Sequence, residues 1–291
     1  MSVQVASTLD EALAMLAARP GATLLAGGTD LMVELNLGHR RTDHVIAVGR
    51  VRELRSWRID PEGASLHVGA AVTWAELMDE PIAALVPALA EAARTVGSPQ
   101  IRHAGTLGGN VGTCSPAGDG LPVLAALDAV IHLAAAGGTR SVPFAEFATG
   151  PKRTVRRPDE LITGISMPVL QGYQGYTKVG VRNAMVIATA SACLAVDAPS
   201  RSVRLALGSV GPVILRAPEA EALLAGSEVW TTGRLTDAES TAFGAAAAAA
   251  ARPIDDHRST AAYRRRAVEV LARRLATRAF PGEPVATRGA A

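Results

Sequence analysis

The sequence predicts an α+β protein in two parts, divided near residue 170. Two observations carry that expectation. Up to Pro168, short apolar runs of strand character alternate with helical segments opened by capping signals. Beyond it, strand-like runs at 173–181, 186–196 and 203–209, separated by turn signals, precede helical segments at 217–224, 236–251 and 259–278. Strands first and helices afterwards argue for a C-terminal part built on a three-stranded antiparallel meander. The 291 residues suffice for two hydrophobic cores.

Each element has a local reason. Thr8-x-x-Glu11 is a capping box, and Leu9, Ala12, Leu13 and Leu16 recur at helical spacing until Pro20-Gly21 stops the helix. Residues 23–26 form a short apolar strand running into Gly27-Gly28, and 30–37 read as a helical turn. Residues 44–48 and 66–70 read as strands. Thr73-x-x-Glu76 is a second capping box, opening a helix through Leu77 and Met78. Residues 82–94 are helical in pattern, with Pro87 opening the second part and Gly97-Ser98-Pro99 closing it. A strand at 130–134, a turn from 142 and a strand at 161–167 complete the first part. In the second, the alanine run 245–251 favours helix and carries no chemistry. Arg264, Arg265, Arg266, Arg273 and Arg274 read as a solvated face that complements the helix dipole, with an anion site or an acidic partner's docking surface as the alternative. The tail is expected to fray, with 285–291 disordered.

Composition narrows the function. A net charge of +2 offers no concentrated basic face for nucleic acid, and no apolar run approaches the roughly 20 residues that span a bilayer. The start lacks the basic and apolar stretches of a secretory signal, and Cys114 and Cys193 lie far apart, so a cytoplasmic chain without disulfides is expected. Aromatic residues make up only 3%, so a planar ligand would be held largely by aliphatic and backbone contacts. There is no G-x-G-x-x-G, no Walker lysine, no HExxH, no G-x-S-x-G and no cysteine set for a cluster. No catalytic side chain and no metal ligand are expected.

Two glycine-rich segments stand out: Leu25-Ala26-Gly27-Gly28-Thr29-Asp30-Leu31 and Thr106-Leu107-Gly108-Gly109-Asn110. Glycine reaches positive φ without strain, so successive N–H groups can turn inward around an anion. On this reading the two loops clasp a diphosphate from both sides, with Thr29, Thr106 and Asn110 adding side-chain donors. Each loop taken alone is equally well an ordinary turn. Asp119 is open to two readings, an acceptor for ribose or ring N–H groups and the cap of a helix at 121–127.

These segments, with Ile101-Arg102-His103-Ala104-Gly105 and Cys114-Ser115-Pro116-Ala117-Gly118-Asp119, resemble the FAD-binding medium subunit of molybdenum hydroxylases, the xanthine dehydrogenase and carbon monoxide dehydrogenase family. Thr149-Gly150-Pro151-Lys152-Arg153-Thr154, Tyr176-Thr177-Lys178-Val179-Gly180 and Asp255-Asp256-His257-Arg258 continue the resemblance in order, from about residue 3 to 280. The stretch Gly109-Asn110-Val111-Gly112-Thr113-Cys114 is more similar to the xanthine dehydrogenase branch, and Cys114 is expected to pack beneath the loop without redox work. The resemblance implies an FAD-binding domain of the vanillyl-alcohol-oxidase/PCMH type over 1–170, with α+β subdomains at about 1–55 and 56–170. An α+β domain at 171–284 would follow. It implies FAD contacts from residues 25–31, Thr106, Leu107, Gly108, Gly109, Asn110, Ser115, Asp119, Ile162 and Lys178. For Lys178, a solvated strand end is the alternative.

The resemblance also implies a role. Electrons from a molybdopterin centre on a large subunit would pass through [2Fe–2S] clusters on a small subunit to FAD here, and on to NAD or another acceptor. A stand-alone FAD oxidoreductase of the same fold and a cofactor-free docking subunit are the alternatives. The first of these needs a catalytic base of its own, for which the sequence offers no candidate.

Overall fold

The computed structural model describes residues 1–282, so the expected disorder of 285–291 lies outside the described residues. The chain forms two compact units. One comprises Met1–Leu77, Gly97–Ser115 and Asp128–Pro168, and the other Met78–Val96, Pro116–Leu127 and the chain from Val169 onward.

The first unit holds two larger sheets and the small hairpin Ala148–Gly150/Arg153–Thr154. In a parallel three-stranded sheet, His44–Ala47 lies between Ser2–Val5 and Thr23–Leu25. The helix Leu9–Ala18 opens on the expected capping box, with Thr8 accepting from Glu11 N. It turns Ala12 and Leu16 onto a core shared with Ile46, Val48, Val51 and Leu54. The second sheet is antiparallel, in the order Trp57–Ile59, Ser65–Gly69, Leu161–Pro168, Val130–Ala135, Gly138–Pro143. Its core face carries Leu66, Val68, Ile131, Leu133 and Ile165, all essentially inaccessible. Alternation of buried and half-buried residues along Ser65–Gly69 is the expected period of a sheet with one covered face.

Several expectations need correction. Ser2–Val5 and Trp57–Ile59 are strands, missed because every residue in both is exposed and neither marks a core. Gly138–Pro143 is a strand where only a turn was expected from 142. The second capping box forms, with Thr73 N donating to Glu76 Oε2 at 2.8 Å, but it opens only the single turn Glu76–Met78. Most consequential, Ser98 and Pro99 start a helix instead of ending one. Ser98 caps Pro99–Ala104, and Thr106 caps a further helix, Leu107–Thr113, that contains both glycines of the second loop.

The second unit is built on an antiparallel sheet in the order Gln174–Val179, Ala190–Asp197, Ser202–Gly208, Leu215–Arg216. The three expected strands are present and a two-residue fourth is added. Ala190, Ala192, Leu194 and Val196 pack with Phe243, Val268, Leu271 and Leu275 from the helices Asp237–Ala250 and Ala261–Ala279. Helices Pro87–Thr95 and Gly120–Ala126 also pack on this sheet. Strand Ala190–Asp197 is therefore buried on both faces, which explains why Ala192–Val196 is continuously apolar. This packing draws 78–96 and 116–127 into the unit, although they precede residue 170.

Arg264 corrects the solvated-face reading of the last helix. It is 2% exposed, donating to Thr189 O at 2.7 Å, Ser209 O at 2.9 Å and Asp256 Oδ1 at 2.6 Å. Arg265, Arg266 and Arg274 are exposed as expected.

Candidate functional site

Strand Thr23–Leu25 ends where its partner strand does, and the chain turns out of the sheet at Ala26. Gly28 takes φ of +72°, the left-handed region that favours glycine. The short helix Leu31–Asn36 follows. Backbone N–H groups from Ala26 through Leu31 meet no protein acceptor among the described residues. Residues 24–29 are half-buried, so these donors are sheltered yet reachable. An unbroken series of unpaired, accessible amides is an anion receptor, because each N–H left without a partner favours an oxygen ligand.

The second glycine segment works differently. Leu107 N donates to Val72 O at 3.1 Å, Gly108 N to Ala70 O at 2.9 Å, Gly109 N to Thr106 Oγ1 at 3.0 Å and Asn110 N to Thr106 O at 3.0 Å. Its amides are consumed by the protein. The expected clasp of backbone N–H groups from both loops therefore reduces to one loop. Asn110 is what the second segment offers: its Oδ1 is buried without a hydrogen-bond partner.

Gly27 and Gly108 serve packing. A Cβ on Gly27 would lie 1.7 Å from Ala104 O, and one on Gly108 would lie 2.5 Å from both Ala70 Cβ and Ala70 O. Gly27 thus lets the first loop seat directly on the backbone that leads into the second segment. Thr29 Oγ1 is 3.2 Å from the Cβ position of Gly105, and Ala26 Cβ is 4.0 Å from that of Gly109. The two segments are neighbours within one unit. Ile162 is buried, and its Cδ1 lies 3.6 Å from the Cβ position of Gly112 on the second helix. Cys114 caps that helix in the left-handed conformation and is buried, with burial pushing its thiol up to about 11. That is an inert thiol, as expected. Ser115, half-buried, follows it.

Asp119 and Lys178 belong to the second unit. Lys178 Nζ donates to Asp119 Oδ2 at 2.7 Å, Thr95 O at 2.9 Å and Val186 O at 3.1 Å, which occupies all three ammonium protons. Tyr176 donates its hydroxyl to Asp119 Oδ1 at 2.7 Å. Burial and the adjacent carboxylate hold the Tyr176 phenol well above its ordinary value, so it stays a donor. The Lys178 and Asp119 side chains are 8% and 11% exposed. The solvated strand end is therefore incorrect for Lys178. The capping role is incorrect for Asp119, whose carboxylate makes no cap bond to Gly120–Ala126. Tyr176 was missed, although its alternation with Lys178 on one strand puts both on the same face.

Comparison with known proteins gives this arrangement its family. Residues 1–170 match the FAD binding domain in molybdopterin dehydrogenase, and residues 175–279 match the CO dehydrogenase flavoprotein C-terminal domain. The chain belongs to the FAD-binding subunits of the molybdenum hydroxylases. It is 34% identical over 270 residues to the glyceraldehyde dehydrogenase medium chain of Sulfolobus acidocaldarius, covering 91% of this chain and 93% of that one. It is 32% identical over 223 residues to the xanthine dehydrogenase FAD-binding subunit of Escherichia coli O157:H7, covering 74% and 76%. The carbon monoxide dehydrogenase structure from Hydrogenophaga pseudoflava superposes with a TM-score of 0.88 at 29% identity, covering 98% of each chain.

As an FAD subunit, the chain is an oxidoreductase component, and its residues fit the cofactor's chemistry. The unpaired amides of Ala26–Leu31 suit a diphosphate, and the orphaned Asn110 Oδ1 needs a donor of the kind a nucleotide carries. No helix among the described residues is long and apolar enough to cross a membrane.

Proposed function

We propose that this chain is the electron-exit subunit of a multi-subunit hydroxylase. It binds FAD, receives electrons from the [2Fe–2S] clusters of a small partner subunit fed by a large molybdopterin subunit, and delivers them to NAD or another acceptor. Bound FAD supplies a carrier able to exchange electrons singly with clusters and in pairs with a nicotinamide. The observation that carries the reading is the unpaired amide series from Ala26 to Leu31, in a chain of this family. These amides hold the diphosphate, Thr29 orients it, Asn110 Oδ1 accepts from a donor elsewhere on the nucleotide, and Leu25, Leu31 and Ile162 shield the site from water. Within the second unit, Asp119 is fixed between Tyr176 and Lys178 as a buried polar cluster of set geometry.

Two measurements test this. The full chain purified alone is expected to retain FAD near one per chain, with neither iron nor molybdenum. A colourless protein that ignores added FAD refutes the assignment. In the co-expressed complex, anaerobic addition of a reducing substrate should bleach the flavin band, and NAD should restore it. Bleaching that NAD leaves unchanged, but another oxidant reverses, refutes the NAD step alone.

A further inference from the structure

The helix Leu31–Asn36, which carries the last of the unpaired amides, buries none of its residues, and Met32, Val33 and Leu37 stand exposed. Hydrophobic packing therefore holds it only through the half-buried Leu31 and Leu35. What reaches it is the tip of the hairpin Ala148–Gly150/Arg153–Thr154. Lys152 sits at that tip with φ of +56°, and its backbone N–H donates to Cys114 O at 3.1 Å, at the end of the second glycine helix. Its ammonium extends the other way and donates to Glu34 Oε1 on the exposed helix. Glu34 also faces Arg40 Nη1 at 3.9 Å. A single residue thus ties both glycine segments, one through its main chain and one through its side chain.

We infer that Lys152 is a positioning residue for the diphosphate site, holding the helix after Gly27-Gly28 in register with the second glycine helix through its ion pair with Glu34. This rests on the proposed role of the Ala26–Leu31 amides. An unfixed helix leaves those amides in many orientations, and a ligand must then order them at its own expense. An ion pair that solvent still reaches, with the Lys152 side chain 54% exposed and Glu34 23%, is a modest tether, so the expected effect is modest too.

The test is an FAD titration of the full chain after deflavination, followed by flavin fluorescence at low salt. Lys152→Met is expected to weaken FAD binding roughly fivefold, Glu34→Gln by a similar factor, and the double variant no more than either alone. Lys152→Arg should restore affinity to within about twofold, because it keeps the pair. The inference is overturned if Lys152→Met binds as the parent does, if the two losses multiply, or if Lys152→Arg is as weak as Lys152→Met. Should Lys152→Met fail to fold, Glu34→Gln decides by itself, since parent-like affinity there removes the tether. If the parent chain binds no FAD, the functional proposal fails first and separately.

Discussion

Replacing Gly27 by alanine probes the reasoning most directly. From the sequence alone, a side chain at Gly27 or Gly108 would be expected to block the phosphate. In the structure the added Cβ meets protein, at 1.7 Å from Ala104 O, 2.5 Å from Ala104 C and 2.9 Å from Gly105 Cα. All three are backbone atoms, so no rotamer change relieves the overlap. Overpacking costs about 1–3 kcal/mol where side chains can yield, and a backbone overlap this deep belongs at about 3 kcal/mol or beyond. For a unit of this size, that lowers the melting temperature by roughly 6–12 °C. The loss must appear in the apoprotein, before any ligand is added. Gly109→Ala is the control on the same surface: its Cβ would meet two side-chain atoms and no backbone, Thr106 Oγ1 at 3.0 Å and Ala26 Cβ at 4.0 Å. It should cost under about 1 kcal/mol. The assay is thermal unfolding of deflavinated protein by circular dichroism, alongside FAD affinity. If apo Gly27→Ala melts with the parent and loses only FAD, then the side chain is blocking ligand and the packing argument is wrong.

Other predictions follow from the buried polar groups. Lys178→Met leaves the Asp119 carboxylate buried without its cation and should destabilise by about 3–5 kcal/mol, read by denaturant unfolding. Replacing both members of the pair, Lys178→Met with Asp119→Leu, should recover much of that loss, and an equally unstable double variant would refute the charge explanation. Arg264→Met should also be destabilising, since it leaves the Thr189 and Ser209 carbonyls without their buried donor and Asp256 with Arg258 as its remaining cation, while Arg265→Ala should change stability by less than about 0.5 kcal/mol. His67 hydrogen-bonds Ser166 across the antiparallel sheet at 3.1 Å, and burial, with Arg58 and His132, lowers it from 6.5 to about 4. The neutral ring is thus favoured in the folded state. Its stabilisation is complete above pH 6.5 and declines as pH falls toward 4, by about 1 kcal/mol after solvent screening. His67→Asn should flatten unfolding curves across that window. A parent-like pH dependence in this variant would assign the slope to other groups.

Much of the architecture was readable from local chemistry. The capping box at Thr8, the proline opening the helix at Pro87 and the apolar strand Ala190–Asp197 act within a few residues, so spacing suffices to find them. Exposed edge strands were not readable, because a strand with no buried side carries no hydrophobic period. The second glycine helix was misread for a related reason. Glycine weakens any helix prediction, and only the Thr106 cap and the contact with Ala70 make Leu107–Thr113 helical.

By itself the sequence determined the two-part α+β plan, the family and the place of the first glycine loop, because order and spacing of motifs survive without coordinates. Tertiary structure alone decided which amides remain free. Both glycine segments carry the same backbone N–H groups, but Val72 and Ala70 supply acceptors only to the one that begins at Thr106. The same holds for Lys178 and Arg264, solvated by local pattern and enclosed in fact, since burial depends on what packs over a side chain from distant parts of the chain.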